Sequence, residues 1–211
     1  MQEINIQDLD ERFRKQIDRL HSAFKKGGYD FVIQVSGELL NKSPGAWEVR
    51  SILCDALLAT RATNHSRMGW LRDRSNGMQF KISVRSQMQK DPLSVVRRCD
   101  EQMRNKVSLR EVFECLDKAA QALEWPETRT LARRAIVQLE PDNLPAKLAY
   151  AEVLLELSRP KEAVEQVEWV LAREPSNGEA QTLLKNASVA ETLQRGNWED
   201  TNTTFHSKKQ S

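Results

Sequence analysis

Prolines recur through this chain at a spacing that few folds can generate. Pro92, Pro126 and Pro160 fall at intervals of 34 residues, and Pro141 and Pro175, each preceded by glutamate, repeat the same interval. A fixed period of this size marks a chain built from repeated supersecondary units, each too small to bury its own apolar face. Proline is tolerated in the first turn of a helix and stops one already running, so these positions mark where helices begin and end. Between them, Leu148, Ala149, Ala151, Leu154 and Leu155 recur at helical spacing. Ser158-Arg159-Pro160 then breaks the chain, and Ala163, Val164, Val167, Val170 and Leu171 form the next apolar stripe. Glycine and proline together number 15, where ordinary usage gives about 25. That shortage also fits helices joined by short turns.

These features resemble the tetratricopeptide-repeat family. The unit over 144–177 carries the small residues Ala151 and Ala163, the bulky Val167 and the closing Pro175 where that family has them; Lys147 stands in place of its usual aromatic. The unit over 110–143 has Phe113 at the aromatic place and closes on Pro141, but Arg129 and Arg133 fall at inward positions. A one-residue shift, burying Thr128, Ala132 and Ala135 instead, avoids burying unpaired charge. A first unit covers about 13–46, with Asp10 as a helix N-cap and Gly27-Gly28-Tyr29-Asp30 as its turn. The second is split into 47–60 and 92–109, with residues 61–91 inserted where its turn belongs. The resemblance implies an all-α, right-handed α-solenoid of about four such helix pairs. A capping helix over 178–193 follows, and a polar tail over 196–211 is expected to be disordered. The layout also looks like that of bacterial tetratricopeptide proteins with a basic linker inside an early repeat.

Charge counting finds the insertion independently. The chain has a net charge of +2, yet residues 61–91 alone carry +5. Met68, Trp70 and Leu71 lie among Arg67, Arg72 and Arg74, the aromatic-plus-arginine chemistry enriched at interface hot spots. Met78, Phe80, Ile82 and Val84 alternate with Gln79, Lys81, Ser83 and Arg85, a strand pattern whose backbone would need a partner. Arg67, Trp70, Arg72, Arg74, Phe80, Lys81 and Arg85 are therefore a candidate surface. Packing over the neighbouring helices stands beside partner binding as the reading of its apolar residues.

Catalytic constellations are not found. His21, His65 and His206 lack metal-ligand spacing, Gly27-Gly28 lacks the rest of a phosphate loop, and Ser36-Gly37 reads as mid-helix. Cys54, Cys99 and Cys115 read as free buried thiols of a cytoplasmic protein. Neither cofactor nor metal is expected. No apolar run approaches the roughly 18 residues of a membrane span, and the first ten residues are acidic and polar, unlike a secretory signal.

Binding is what remains. By resemblance, the groove of such a solenoid is lined here by Ile17, His21, Phe24, Asp55, Glu114, Lys118, Gln121, Leu148, Glu152 and Leu155. Its later part is acidic, which suits a basic partner segment or merely solvates the surface. Ile17 and His21, or Ser51 and Asp55, do not supply the Lys–Asn clamp with which chaperone-binding members hold a terminal carboxylate. The function expected is a non-enzymatic protein–protein interaction scaffold. The alternative is a nucleic-acid or ribosome-associated adaptor acting through 61–91. A homo-oligomer is left open. Two expectations follow. Ala163→Arg should cost several kcal/mol in urea denaturation, because it buries an unpaired charge between paired helices. Replacing residues 62–90 by a short turn should cost within about 1 kcal/mol if the insertion is an appendage.

Overall fold

Each helix starts where a local rule lets it start. The computed structural model of the chain describes residues 2–62, 67–105 and 109–207, with side chains over 2–60, 76–105 and 109–194. Helix α1 (Glu11–Lys25) opens on Asp10, whose carboxylate accepts the Phe13 N–H at 2.7 Å. Helices α2 (Tyr29–Lys42), α3 (Trp47–Ala62) and α4 (Arg67–Arg85) follow. The periodic prolines open α5 (Pro92–Arg104), α7 (Pro126–Leu139) and α9 (Pro160–Leu171). Between them lie α6 (Leu109–Ala122) and α8 (Leu144–Glu156), and the last helix is α10 (Gly178–Ser207). Among the described residues the fold is all-α; the one β-type pairing is an isolated bridge between Ile4 and Ala46.

Three corners are built alike. Gly27, Glu124 and Ser158 have φ of 76°, 58° and 57°, the left-handed conformation that ends a helix. The next residue in each case, Gly28, Trp125 or Arg159, donates its N–H five residues back, to Ala23, Ala120 or Leu154, at 2.8 to 2.9 Å. This Schellman closure satisfies carbonyls that the helix end leaves open, and α2, α7 or α9 starts at once. Glycine meets the conformation without strain only at 27; Glu124 and Ser158 carry its cost.

The chain divides into two compact units, 1–141 and 142–211. In the first, α6 is the central helix, packed by α5, α7 and α4, with Val112, Phe113, Leu116, Ala119 and Ala120 fully buried. Thr128, Ala132 and Ala135 of α7 are buried, as the shifted register requires. The displaced Arg129 and Arg133 reach the buried carboxylate of Asp117 at 3.5 and 2.6 Å. In the second unit α9 lies against both α8 and α10, and Ala151, Leu154, Ala163, Val167, Val170, Ala180 and Ala187 form its core.

Three expectations are corrected. Residues 78–85, read as a strand from their alternation, are the last turns of α4. Phe80 and Val84, four apart, are buried on its inner side, while Met78 and Ile82 are exposed on the other. Alternation over so few residues is compatible with both periods, and packing against α6 selected the helical one. The tail expected to be disordered from residue 196 is helical through Ser207, since extending a packed helix costs far less than nucleating one. Finally, α4 is no appendage: excising 62–90 strips Phe80 and Val84 from the core, a loss of about 3–6 kcal/mol.

The second helix pair expected from the sequence therefore does not close as a simple pair. Helix α3 packs on α2 and α7, α5 packs on α6 and α2, and α3 and α5 touch over little of their length. What ties them is Arg50. Its fully buried guanidinium donates to both carboxylate oxygens of Asp100 on α5 at 2.7 and 2.8 Å. It donates further to the Pro44 carbonyl at 2.6 Å and the Thr128 hydroxyl at 3.2 Å, and lies 5.8 Å from the centroid of the buried Trp125 ring. Burial opposes the Arg50 charge, but Asp100 outweighs it and holds the guanidinium protonated. Asp100→Ala should cost about 3–5 kcal/mol in urea denaturation, because it leaves that charge buried and unpaired. Arg50→Met combined with Asp100→Leu should regain most of the loss; a double variant as unstable as the single one would assign the stability to the Pro44 and Thr128 bonds instead.

Candidate partner-binding site

The expected groove residues separate by depth. In the first unit Ile17 is fully buried, and in the second Leu148 is 3% exposed; both belong to the core and line no open groove. The correction has a simple cause: a residue at the edge of an amphipathic stripe turns inward when a third helix covers that edge. His21, Lys118, Gln121 and Glu152 are exposed, and Leu155 is half-buried. Phe24 is half-buried with its ring edge-on to Tyr29, centroids 5.4 Å apart, and so staples the first corner.

Two of the acidic members, Asp55 and Glu114, are already engaged. Asp55 on α3 accepts from the Arg134 guanidinium of α7 at 3.0 Å, and the same guanidinium reaches the Ser51 hydroxyl at 3.3 Å. Burial raises the Asp55 pKa while Arg134 pulls it back. Glu114 on α6 is bound by Lys81 of α4 at 2.5 Å and by Arg110 at 3.1 Å, and Arg110 continues to Glu140 at 2.8 Å. Much of the acidity read from the sequence is thus neutralised inside the first unit.

The insertion surface is corrected in part. Phe80 is 8% exposed, a core residue with the Arg98 guanidinium 5.7 Å from its ring centroid. Lys81 is half-buried and spent on Glu114, whereas Arg85 is exposed. The side chains of Arg67, Trp70, Arg72 and Arg74 lie outside those described.

Sequence reasoning missed a carboxylate at the start of the chain. Glu3 accepts from the backbone N–H groups of Glu127 and Thr128 at 2.9 and 2.7 Å, and from the Thr128 hydroxyl. It thereby caps α7 from a distance of more than a hundred residues, where the helix dipole favours an anion. Burial nevertheless lifts its pKa above the ordinary value, against the pull of these hydrogen bonds and of Arg50. The Ile4 N–H bonds the Gly45 carbonyl at 2.8 Å and the Trp47 indole donates to Asn5 at 3.2 Å, so residues 2–5 form a strap along a polar recess beside Leu123–Glu127. No local signal announced this, because a lone glutamate near a terminus has no periodicity to betray it.

All three cysteines are free and buried. Burial pushes the thiols of Cys54 and Cys99 up strongly and that of Cys115 to about 11, so none is an activated nucleophile. Among the described residues no group of three or more His, Cys, Asp or Glu is placed to hold a metal ion, and no helix is long and apolar enough to cross a membrane. Comparison of the chain with protein-family models, with curated proteins and with solved structures finds no match.

Lys147, the departure from the repeat pattern, finds its aromatic elsewhere. Its ammonium lies 4.1 Å from the ring centroid of Trp169 on α9, and Arg173 covers the same ring at 3.2 Å. Burial and Arg173 hold the Lys147 pKa below its ordinary 10.5. The folded state then releases this proton at a lower pH than the unfolded chain does. Stability rises with pH from the depressed pKa up to 10.5. Lys147→Met should remove that rise in denaturation curves taken between neutral pH and pH 10.5. At neutral pH the variant should stay within about 1 kcal/mol of the wild type, since relief of desolvation offsets the lost cation–π attraction.

Proposed function

We propose that this chain is a non-enzymatic protein–protein interaction scaffold built on tetratricopeptide-like helix pairs. The observation that carries the reading is the recurrence of one corner, at Gly27, Glu124 and Ser158, with the same left-handed conformation and the same five-residue closing bond. Identical corners between successive helices are what stacked helix-pair repeats require. The right-handed solenoid of about four pairs, with α10 as its cap, goes with this reading. So does a cytoplasmic location, which suits three reduced thiols.

The surfaces available to a partner are the exposed first-helix side chains. In the first unit they are His21, Lys118 and Gln121; in the second, Glu152 beside the half-buried Leu155. Polar groups next to partly exposed apolar ones suit a protein segment better than a phosphate backbone. The nucleic-acid alternative is weakened by Lys81, whose charge is committed to Glu114.

A photo-crosslinking residue at Gln121 or Glu152 tests the reading in the source cytoplasm. Crosslinks to discrete proteins that survive nuclease treatment are the expected result. Crosslinks that vanish with nuclease, or that weaken steeply with added salt, would transfer the function to nucleic-acid binding.

A further inference from the structure

We propose that the face of α6 formed by Glu111, Glu114 and Cys115 is a docking surface for a basic amphipathic helix, and that α4 occupies it in cis as a competitor of that partner. The proposal rests on the scaffold reading and names its partner's chemistry. Gly77 brings the α4 backbone so close that an added Cβ would stand 2.6 to 2.7 Å from the Glu111 side chain. One helical turn further along α4, Lys81 meets Glu114 at 2.5 Å. Phe80 and Val84 seal the apolar side of the contact, and Arg98 fastens the end of α4 through the Ser83 carbonyl and hydroxyl at 3.1 and 2.8 Å. A small residue and a cation at this helical spacing fit the face beside Glu111 and pair with Glu114.

The occupant is a weak helix held from one side. Gly69 lies in its first turn, Ser75, Asn76 and Gly77 in its middle and Ile82, Ser83 and Val84 at its end, all poor helix formers. Met78 and Ile82, on the side away from α6, are 58% and 68% exposed. Helix formation and docking of α4 are therefore one local event, able to reverse without global unfolding. The vacated face presents Glu111 and Glu114, the latter still paired with Arg110 of α6 itself, and admits a basic helix with better propensity.

Cys115 reports the opening, because it lies beside Glu114 and within the field of Lys81. In the intact protein a thiol reagent should modify Cys115 at least tenfold faster than Cys54 or Cys99. Lys81→Glu, set against Glu114, should raise the Cys115 rate a further tenfold with unchanged helical circular dichroism. A synthetic peptide of residues 76–88 at millimolar concentration should slow the variant's Cys115 labelling at least threefold; the same peptide with glutamate for lysine should not. Should the variant fail to fold, hydrogen exchange on the wild type decides: α4 amides at 76–85 should be at least a hundredfold less protected than α6 amides. Equal labelling of all three cysteines, equal protection of the two helices, or a peptide without effect on the folded variant overturns the proposal. If these results hold while the crosslinking above yields no protein, cis docking stands and the scaffold reading fails; the opposite pair of results leaves a scaffold without a competitor.

Discussion

A guanidinium buried without solvent would destabilise most small helical units, and the first unit is organised around making one acceptable. Arg50 uses the fork geometry of its side chain fully: two bonds to Asp100, one to a carbonyl, one to a hydroxyl, and an aromatic face beside it. The partners come from three further segments, so the charge is satisfied only when α3, α5, the start of α7 and the loop at Pro44 are all in place. Apolar side chains of similar volume would bury comparable area, but they would tolerate sliding. The ion pair sets a single register between α3 and α5, which touch over little else.

The same economy recurs at smaller scale. Asp117 is buried under Arg129 and Arg133, Asp55 meets Arg134, and Glu114 is shared by Lys81 and Arg110. Charges placed on helix faces that a regular repeat would leave open are turned toward neighbouring helices. The carboxylates left unengaged are accordingly fewer than the expected groove positions imply. The second unit is built on small residues. Small residues at Ala151, Ala163, Ala180 and Ala187 let α8, α9 and α10 approach, and Trp169 accepts two cations over its ring.

Helix α4 shows where reading a chain by period breaks down. Its last eight residues alternate like a strand, and its glycines depress helix propensity. Neither signal records that α6 offers a surface on which Phe80 and Val84 fall one turn apart. A tertiary surface overrode two local preferences together, which is how elements of marginal stability behave. The groove residues failed for a related reason. Ile17 and Leu148 sit where a two-helix unit would leave them open, and additional packing buries them.

Taken alone, the sequence determined the helices other than α4, their proline-marked starts, the turn at Gly27 and the shifted register of α7. These are properties of local sterics and of apolar spacing within one helix, which a single chain segment expresses by itself. It did not determine the partners of Arg50, Asp100, Asp117 or Glu3. Each had a faint signal at most: Arg50 and Asp100 interrupt apolar stripes, flanked by Val49 and Leu53 and by Val96, Cys99 and Met103. A charge in a stripe says that a counter-charge must exist, but not where along the chain it lies. Only the tertiary structure decides that, because a buried charge is satisfied through space, and the fifty residues between Arg50 and Asp100 carry no trace of the contact.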